Sequence, residues 1–448
     1  MLKLFSRYII YICDQTHTYN KMKHLSLAAI LLFPLSLFAG GFQIPQQSIK
    51  ATGLGGAFTA VCTDPASVFY NPGGMSNLSG QNITLGMVGL IPSVSVLTPD
   101  NVNTNGAAAV FTPIEFYYSG RVWKNLYAGL SINNQFGAAA AYPNEWYGMY
   151  IVQTIKLQTF MFQPTLDYKI CDKLSIGAGF VYTTGTFSAT KAVPLASANS
   201  ANGEASLSGS GSATGYNIGL FSKLFEKKGD SNSSGCSLTL GVDYRSGLPF
   251  SVSSGSADFT NIPTSLASTF PASENFSTNV QLPGVLSAGL AFKFSKGNNW
   301  DFMIAADFNY TFWKTYDSLR FNFSDTNTPH STNQYGWTNA SAERIGFEAT
   351  YKKKVSVRVG FYNDGSPVPD GSVSPEVVDK TNAGFSLGAS YKFNCGLSID
   401  AAYLLSDFIR SNTYWNYAGF GPISYHRIVN VVGLGINYTF NCTCKKPS

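Results

Sequence analysis

The sequence predicts an all-β fold: a transmembrane antiparallel β-barrel of about 14 strands. Three observations carry this expectation. Charged residues make up only 12% of the 448-residue chain and aromatic residues 14%, whereas soluble domains carry about 25% charge. Mean hydropathy is nevertheless near zero. That value is too low for a bundle of apolar helices and suits walls in which lipid-facing apolar residues alternate with polar luminal ones. From about residue 80 onward, runs of roughly ten residues alternate apolar and polar and end at Gly, Asn, Asp, Lys or Ser.

The first element in order is a leader. Lys21-Met22-Lys23-His24 precedes the apolar run "LSLAAILLFPLSLFA" at 25–39, which is too short to span a bilayer as a helix. Residues 22–39 read as a secretory signal peptide that starts at Met22, and residues 1–21 as sequence upstream of the true start. Cutting after Ala39 leaves Leu37 where a small residue is usual. Export would place the chain where disulfides are permitted.

Residues 40–80 precede the wall pattern and read as a short helical element followed by a break. In "DPASVFY", Asp64 is a good N-cap and Pro65 suits a first helical position. Pro72 disfavours helical geometry at Asn71 and ends the element. Gly73 and Gly74 give the backbone freedom for a sharp exit toward the wall. The same residues would also serve an ordinary helix-to-strand connector.

The barrel is expected over 81–440. Clear strand runs include "LYAGLSIN" (126–133), "KLSIGAGFVYT" (173–183), "SLTLGVDYRS" (237–246), "VLSAGLAFKF" (285–294), "VSVRVGFYN" (355–363) and "LSIDAAYLL" (397–405). Short connections near 122–125, 171–172, 295–299, 352–354 and 394–396 alternate with long ones near 97–109, 140–152, 188–214, 253–283, 315–341, 364–382 and 409–424. Outer-membrane barrels keep short turns on the periplasmic side and long loops outside, so this alternation sets orientation and places the chain in the outer membrane of a Gram-negative bacterium. The Ser-rich stretch "ASANSANGEASLSGSGSATG" is then a surface loop. In the last strand Val432, Leu434, Ile436, Tyr438 and Phe440 share one face, as expected of the strand recognised by the barrel-assembly machinery. Residues 441–448 follow as a periplasmic tail.

Orientation assigns the cysteines and charges. Cys395 lies in the turn before the last two strands, within reach of Cys442 and Cys444, so a disulfide among these three is expected. None of the seven cysteines has zinc-site spacing, and neither metal nor cofactor is expected. Alternation puts Asp243, Arg245, Asp307, Arg344, Glu348, Arg358 and Asp400 inside. Arg245, Arg344 and Arg358 are candidates to meet a carboxylate head group through paired hydrogen bonds; a bracing network of luminal ion pairs is the competing reading.

Several segments in order resemble the long-chain fatty-acid outer-membrane transporter family (FadL type, including aromatic-hydrocarbon channels). They are "GGFQIPQQSIKATGLGGAFTA" from Gly40, "NPGG" from Asn71, "NQFGAAAAYPNEWYGMY" from Asn134, "FQPTLDYKICDKLSIGAGF" from Phe162, and "GSPVPDGSVSPEVVD" from Gly365. The resemblance runs from about 40 to 440. It implies that residues 40–80 form an N-terminal hatch of short helices plugging the lumen, with an apolar pocket above it and a sideways opening where the third strand kinks. Residue by residue, it points to Phe42, Asn71, Pro72 and Gly73 in the hatch, with Phe42 filling the resting pocket, and to Phe136 and Gly137 at the kink. The family commonly has Asn-Pro-Ala where this chain has Asn71-Pro72-Gly73.

The implied function is transport of hydrophobic compounds, long-chain fatty acids first among them, by a monomer set in outer-membrane lipid and lipopolysaccharide. A plugged-barrel adhesin or receptor and a general porin are the alternatives. An enzyme is not expected: after leader removal only His330 and His426 remain, and neither has a nucleophile motif nearby. The net charge of +5 is scattered, with no basic stripe for nucleic acid.

Overall fold

The computed structural model describes residues 40–107, 110–195, 202–229, 233–297, 299–325, 328, 331–413 and 422–440. Its wall comprises fourteen antiparallel strands. In chain order they are β1 (Gln81–Leu97), β2 (Ile114–Trp123), β3 (Leu126–Asn133 and Gly137–Ala141), β4 (Thr154–Cys171), β5 (Leu174–Val193), β6 (Gly203–Lys227) and β7 (Ser234–Arg245 and Leu248–Thr260). There follow β8 (Ser273–Leu282 and Val285–Lys296), β9 (Trp300–Thr311 and Ser318–Phe323), β10 (Ser331–Gln334 and Ala340–Tyr351), β11 (Val355–Asp364), β12 (Asn382–Lys392), β13 (Leu397–Thr413) and β14 (Ile423–Phe440). Each pairs with its neighbours in sequence. The sheet closes where β1 meets β14, from Gln81 opposite Phe440 to Leu97 opposite Ser424. Closure leaves no lipid-exposed edge, as a bilayer demands.

Strand alternation decides which side chains face lipid. On β14, Val432, Leu434, Ile436, Tyr438 and Phe440 point outward and are exposed, while Val431 is fully buried. On β12, Phe385 and Leu387 face out and Ser386 faces in. Luminal Asp243, Arg245, Asp307, Arg358 and Asp400 are all buried. Lipid therefore takes the apolar face, and the core of the molecule is the lumen itself. No helix among the described residues is long and apolar enough to cross a membrane.

The strands reach further than the sequence expectation. Part of "ASANSANGEASLSGSGSATG", expected as loop, is strand, because β6 begins at Gly203 and pairs with β5 up to Val193. The second half of β7 likewise continues to Thr260. A ladder needs only backbone groups, so Ser, Gly and Ala can extend it beyond the apolar zone where no lipid demands apolar side chains.

Five wall strands are broken into two pieces. The breaks in β7, β8, β9 and β10 follow one another around the wall, and in β9 a short turn, Trp313–Thr315, is inserted. Near Thr311 the β8–β9 pairing places Val285 opposite Thr311, but further on Phe276 lies opposite Phe323. The longer β9 path is spent on that turn, which carries the fully buried Trp313. The break in β3 bears on the site below.

Candidate functional site

Inside the barrel, the chain before β1 folds into helix α1 (Ile49–Gly53), helix α2 (Ser67–Tyr70) and a 3-10 turn, Pro72–Asn77. Pieces this short are not stable alone, so the wall must position them. Helix α2 starts later than its sequence signal: Asp64 does not cap it directly, and its carboxylate instead accepts the Ala66 N–H at 2.9 Å. Burial pushes the Asp64 carboxyl up, partly offset by Lys50, whose ammonium lies 3.4 Å away.

Close approach to the wall depends on luminal glycines. A Cβ on Gly219 would come within 2.3 Å of Asn71 Oδ1, one on Gly241 within 2.0 Å of the Thr59 oxygen, and one on Gly360 within 2.0 Å of the Gly55 nitrogen. The hatch contributes from its own side. Gly73 has no positive φ, so the backbone freedom expected of it is not its role. A Cβ there would lie 2.7 Å from the Gly219 oxygen; glycine is present because alanine would not fit. Gly74 serves the same end, leaving room for the Cys62 side chain.

Luminal polar groups complete the docking. Asp307 Oδ2 accepts the N–H groups of both Phe58 and Thr59 at 2.8 Å. Asn71 donates to the Thr59 and Leu220 oxygens at 2.9 and 3.0 Å, while its own oxygen accepts the Gly73 N–H. Ser76 N–H donates to Asp167 at 2.6 Å, and Tyr117 donates to the Gln47 oxygen at 2.5 Å. Most of these bonds give hatch backbone groups a side-chain partner.

The break in β3 lies at the same level. Asn133 pairs with Met161 and Gly137 with Gln158, so residues 134–136 face only 159–160. That extra residue is a bulge, the device by which a strand bends. Neighbouring β2 supplies little to this stretch: the Ile114 N–H is taken by the Asn134 side chain at 2.9 Å, and residues 111–113 bond to β1. The hatch fills in. Ile44 N–H donates to the Gln135 oxygen at 2.9 Å and Gly137 N–H to the Phe42 oxygen at 3.0 Å, with Gln43 bridged to Phe136. The Phe136 oxygen accepts the Thr159 hydroxyl at 2.6 Å.

A cavity of about 260 Å³ joins these features. Residues 40–47, Phe69 and Tyr70 bound it on the hatch side. Leu90, Pro92, Val94, Phe111 and residues 137–140 bound it at the wall. Phe42 forms part of that boundary and is itself buried among rings. Its centroid lies 4.9 Å from Trp313, 5.2 Å from Tyr316, 5.8 Å from Trp337 and 6.2 Å from Phe136. Gly41 N–H donates to Asp379 at 3.1 Å, and Asp379 also accepts the Ser366 hydroxyl at 2.9 Å. Burial pushes the Asp379 carboxyl up, although Arg427 and these donors pull the other way.

The arginines divide differently from the sequence grouping. Arg245 and Arg344 line the cavity but are committed to protein partners. Arg245 donates to Gln163 and to the Phe69 oxygen, both at 2.8 Å. Arg344 pairs with Asp364 at 2.8 Å and donates to Asn309 and the Gly55 oxygen. Arg358 is not in the cavity wall: it pairs with Glu348 at 2.6 Å and Asp400 at 3.5 Å, against α1. Arg427, which the sequence reading left out, does line the cavity. It donates to the Val378 oxygen at 3.0 Å and lies over the Phe408 ring. Its alternation with the inward Val429 and Val431 was the available signal.

Cys395 is a free, exposed thiol, so the disulfide expected of it is not formed there; Cys442 and Cys444 lie outside the described residues. Among the described residues no group of three His, Cys, Asp or Glu could hold a metal ion.

The chain matches the model of the outer membrane protein transport family (OMPP1/FadL/TodX) over residues 31–440. Solved structures agree in fold. A Pseudomonas aeruginosa FadL homologue superposes with a TM-score of 0.74 at 17% identity, covering 90% of this chain and all of that one. The Pseudomonas putida toluene transporter TodX gives 0.66 at 14%, covering 89% and 99%. The Ralstonia pickettii toluene transporter TbuX gives 0.62 at 14%, covering 87% and 97%. At such identities the likeness speaks for fold alone. An outer membrane protein of Neisseria meningitidis serogroup B is 25% identical over 125 residues, a match spanning 25% of this chain and 26% of that protein.

Proposed function

The chain belongs to the outer membrane protein transport family (OMPP1/FadL/TodX), and from that membership we propose that it carries long-chain fatty acids, or apolar molecules of similar shape, across the outer membrane. The observation that carries the reading is the cavity that runs from beneath Phe42 to the bulged stretch of β3. An apolar molecule needs surroundings that water cannot offer. At about 25 cal/mol per Å², a ligand exposing ~300 Å² of apolar surface gains roughly 7 kcal/mol on entering such a site. It must then leave without crossing water, and an opening in the wall lets it pass directly into the bilayer.

In this mechanism the ligand displaces Phe42 from its ring of aromatic neighbours. Residues 42–44 are bonded along the bulge through Gln135 and Gly137, so their withdrawal frees that edge of β3. Residues 137–140 and Phe111 then border a path sideways. The barrel and the lower hatch stay in place, held by Asp307, Asn71 and Asp167. Arg427 is better placed than Arg344 or Arg358 to attract a carboxylate, because no carboxylate forms a close ion pair with it among the described residues, and better placed than Arg245, whose two terminal nitrogens are spent on Gln163 and the Phe69 oxygen.

Uptake of radiolabelled oleate by cells lacking their own transporter tests the reading. Expression of this chain should restore uptake, and expression of a variant lacking residues 40–47 should not restore ligand-dependent uptake. Restoration of small-sugar permeability in liposomes, with no effect on oleate, would favour a general pore instead.

A further inference from the structure

One end of the barrel is ringed by positive charge. The short turns close that end, and each has a lysine in it or beside it. These are Lys124 between β2 and β3, Lys173 between β4 and β5, Lys228 after β6, Lys296 at the end of β8, Lys352, Lys353 and Lys354 between β10 and β11, and Lys392 at the end of β12. All are exposed. The acids at this end among the described residues are Asp172, Glu226 and Asp301. They already lie 2.7, 4.0 and 4.0 Å from the strand lysines Lys169, Lys223 and Lys293, so the turn lysines are in excess. The long-loop end is mixed in sign, with Asp100, Glu145 and Asp317 exposed there as well as Lys314.

An aromatic belt runs just inside these lysines. Trp300 lies opposite Tyr351, Tyr351 opposite Val355, and Val355 opposite Tyr391, which sets the three rings at one height on the wall. Further round, Trp123 lies opposite Leu126 and Leu126 opposite Tyr168. All five rings are exposed. Such belts sit at the depth of the lipid head groups, so lysines beside them stand in the phosphate layer. Two ride directly on belt rings: Lys124 Nζ is 5.1 Å from the Trp123 centroid, and Lys352 Nζ is 5.2 Å from that of Tyr351.

We propose that this ring of lysines binds the head groups of anionic phospholipids, of which phosphatidylglycerol is the simplest, in the phospholipid leaflet of the outer membrane. Short turns face the periplasm in barrels of this kind, and that is the side of the phospholipid leaflet. The charges are spread around the circumference instead of being gathered in a patch. That distribution fits an annulus of lipid and not the single face of an acidic protein. Lysine supplies a compact charge on a flexible stem, able to reach from a turn to a phosphate while its methylenes lie on the belt. The attraction accumulates with each cation near the surface and weakens with salt. Its consequence is a barrel held at a fixed depth, whatever cargo it carries.

The test reads lipid preference at the belt. The protein is reconstituted in vesicles of phosphatidylethanolamine and phosphatidylglycerol, with the acyl chains of one lipid or the other brominated. Bromine quenches tryptophan emission on contact, and among the described residues the exposed tryptophans are Trp123 and Trp300. Brominated phosphatidylglycerol should quench more strongly, with a preference of roughly fivefold that shrinks at high salt. Lys124→Gln, Lys352→Gln, Lys353→Gln and Lys354→Gln combined should bring the ratio toward one. Arginine at the same four positions should keep it, and Lys314→Gln at the opposite end should leave it unaltered. Equal quenching by the two lipids in the native protein, or a preference unchanged in the fourfold glutamine variant, overturns the proposal. Equal quenching together with salt-sensitive binding of polyglutamate would overturn it in favour of an acidic protein partner. Loss of the preference on adding inorganic phosphate at matched ionic strength would overturn it in favour of a site for free anions.

Discussion

Gly137 donates its backbone N–H to the carbonyl oxygen of Phe42 at 3.0 Å, so one hydrogen bond ties the N-terminal segment to the interrupted wall strand. A residue that bounds the cavity and the residue that ends the bulge are thereby tied to each other. A glycine suits the position: a Cβ there would already lie 3.1 Å from the Ile44 side chain and 3.4 Å from the Leu157 oxygen.

Replacing Gly137 with Arg fills that space with a long charged side chain between the hatch and β3. Uptake of oleate should fall sharply, because the side chain occupies the path between the hatch and β3. Surface expression and the heat-modifiable mobility of the barrel should not change. Normal uptake at equal expression would remove the wall opening from the mechanism.

Gly73→Ala restores the residue common in the family and should nevertheless harm this chain. Its Cβ would press on the Gly219 oxygen, and overpacking of this kind costs about 1–3 kcal/mol. Hydrogen exchange should quicken in residues 71–77 and stay slow in β5 and β6. Unchanged protection in 71–77 would mean that the wall yields.

Asp307→Ala leaves the Phe58 and Thr59 N–H groups without their acceptor. Each orphaned donor costs about 1–3 kcal/mol, enough to loosen the turn before α2. The expected outcome is a leaky barrel, seen as ion conductance in planar bilayers that the native chain lacks. Asp307→Asn, which keeps one accepting oxygen, should leak less.

Alanine at Arg427 should reduce oleate uptake several-fold more than uptake of an uncharged hydrocarbon, because charge-assisted hydrogen bonds to a carboxylate are stronger than neutral ones. Alanine at Arg358 should weaken the seat of α1 and leave that ratio unchanged, since its guanidinium faces Glu348 and Asp400 away from the cavity. A ratio that moves for Arg358 and stays fixed for Arg427 would reverse the assignment.

Burial raises the Asp379 carboxyl above its ordinary value when residues 40–47 are docked. A group with a raised docked value takes up a proton on docking. Its contribution is therefore fully present below the solvent value of about 3.9 and is lost as pH rises through the raised value. Protection factors of residues 41–44 should fall as the pH is raised above the ordinary carboxylate range, and Asp379→Asn should flatten the fall. A pH-independent profile in the native chain would exclude Asp379 as the cause.

Much of this was legible in the residues. The alternation in "VNVVGLGINYTF" assigns the lipid face of β14, and the same count along β7 places Asp243 and Arg245 inside, where they are buried. Period two is a local property of an extended backbone, so it survives in one dimension. Phe42, Phe136 and Gly137 were each named as candidates, but nothing local says that the Phe42 oxygen and the Gly137 N–H meet across 95 positions of chain. The rings around Phe42 were not foreseen either, because Trp313 and Trp337 sit at breaks in strands whose pattern gives no reason to bend inward. Arg245, Arg344 and Arg358 looked equivalent by alternation; their partners separate them.

The sequence by itself determined the class of fold and which face of each strand meets lipid, because lipid imposes a repeating apolar face and closure imposes a full set of paired strands. Only the tertiary structure decided why Gly73 is glycine, which arginine is least committed, and what holds Phe42. Those depend on distances between segments far apart in the chain: the 2.7 Å that a Cβ on Gly73 would leave to the Gly219 oxygen, the carboxylates that reach Arg344 and Arg358 but not Arg427, and the wall strands that break at one height to gather four rings around a fifth.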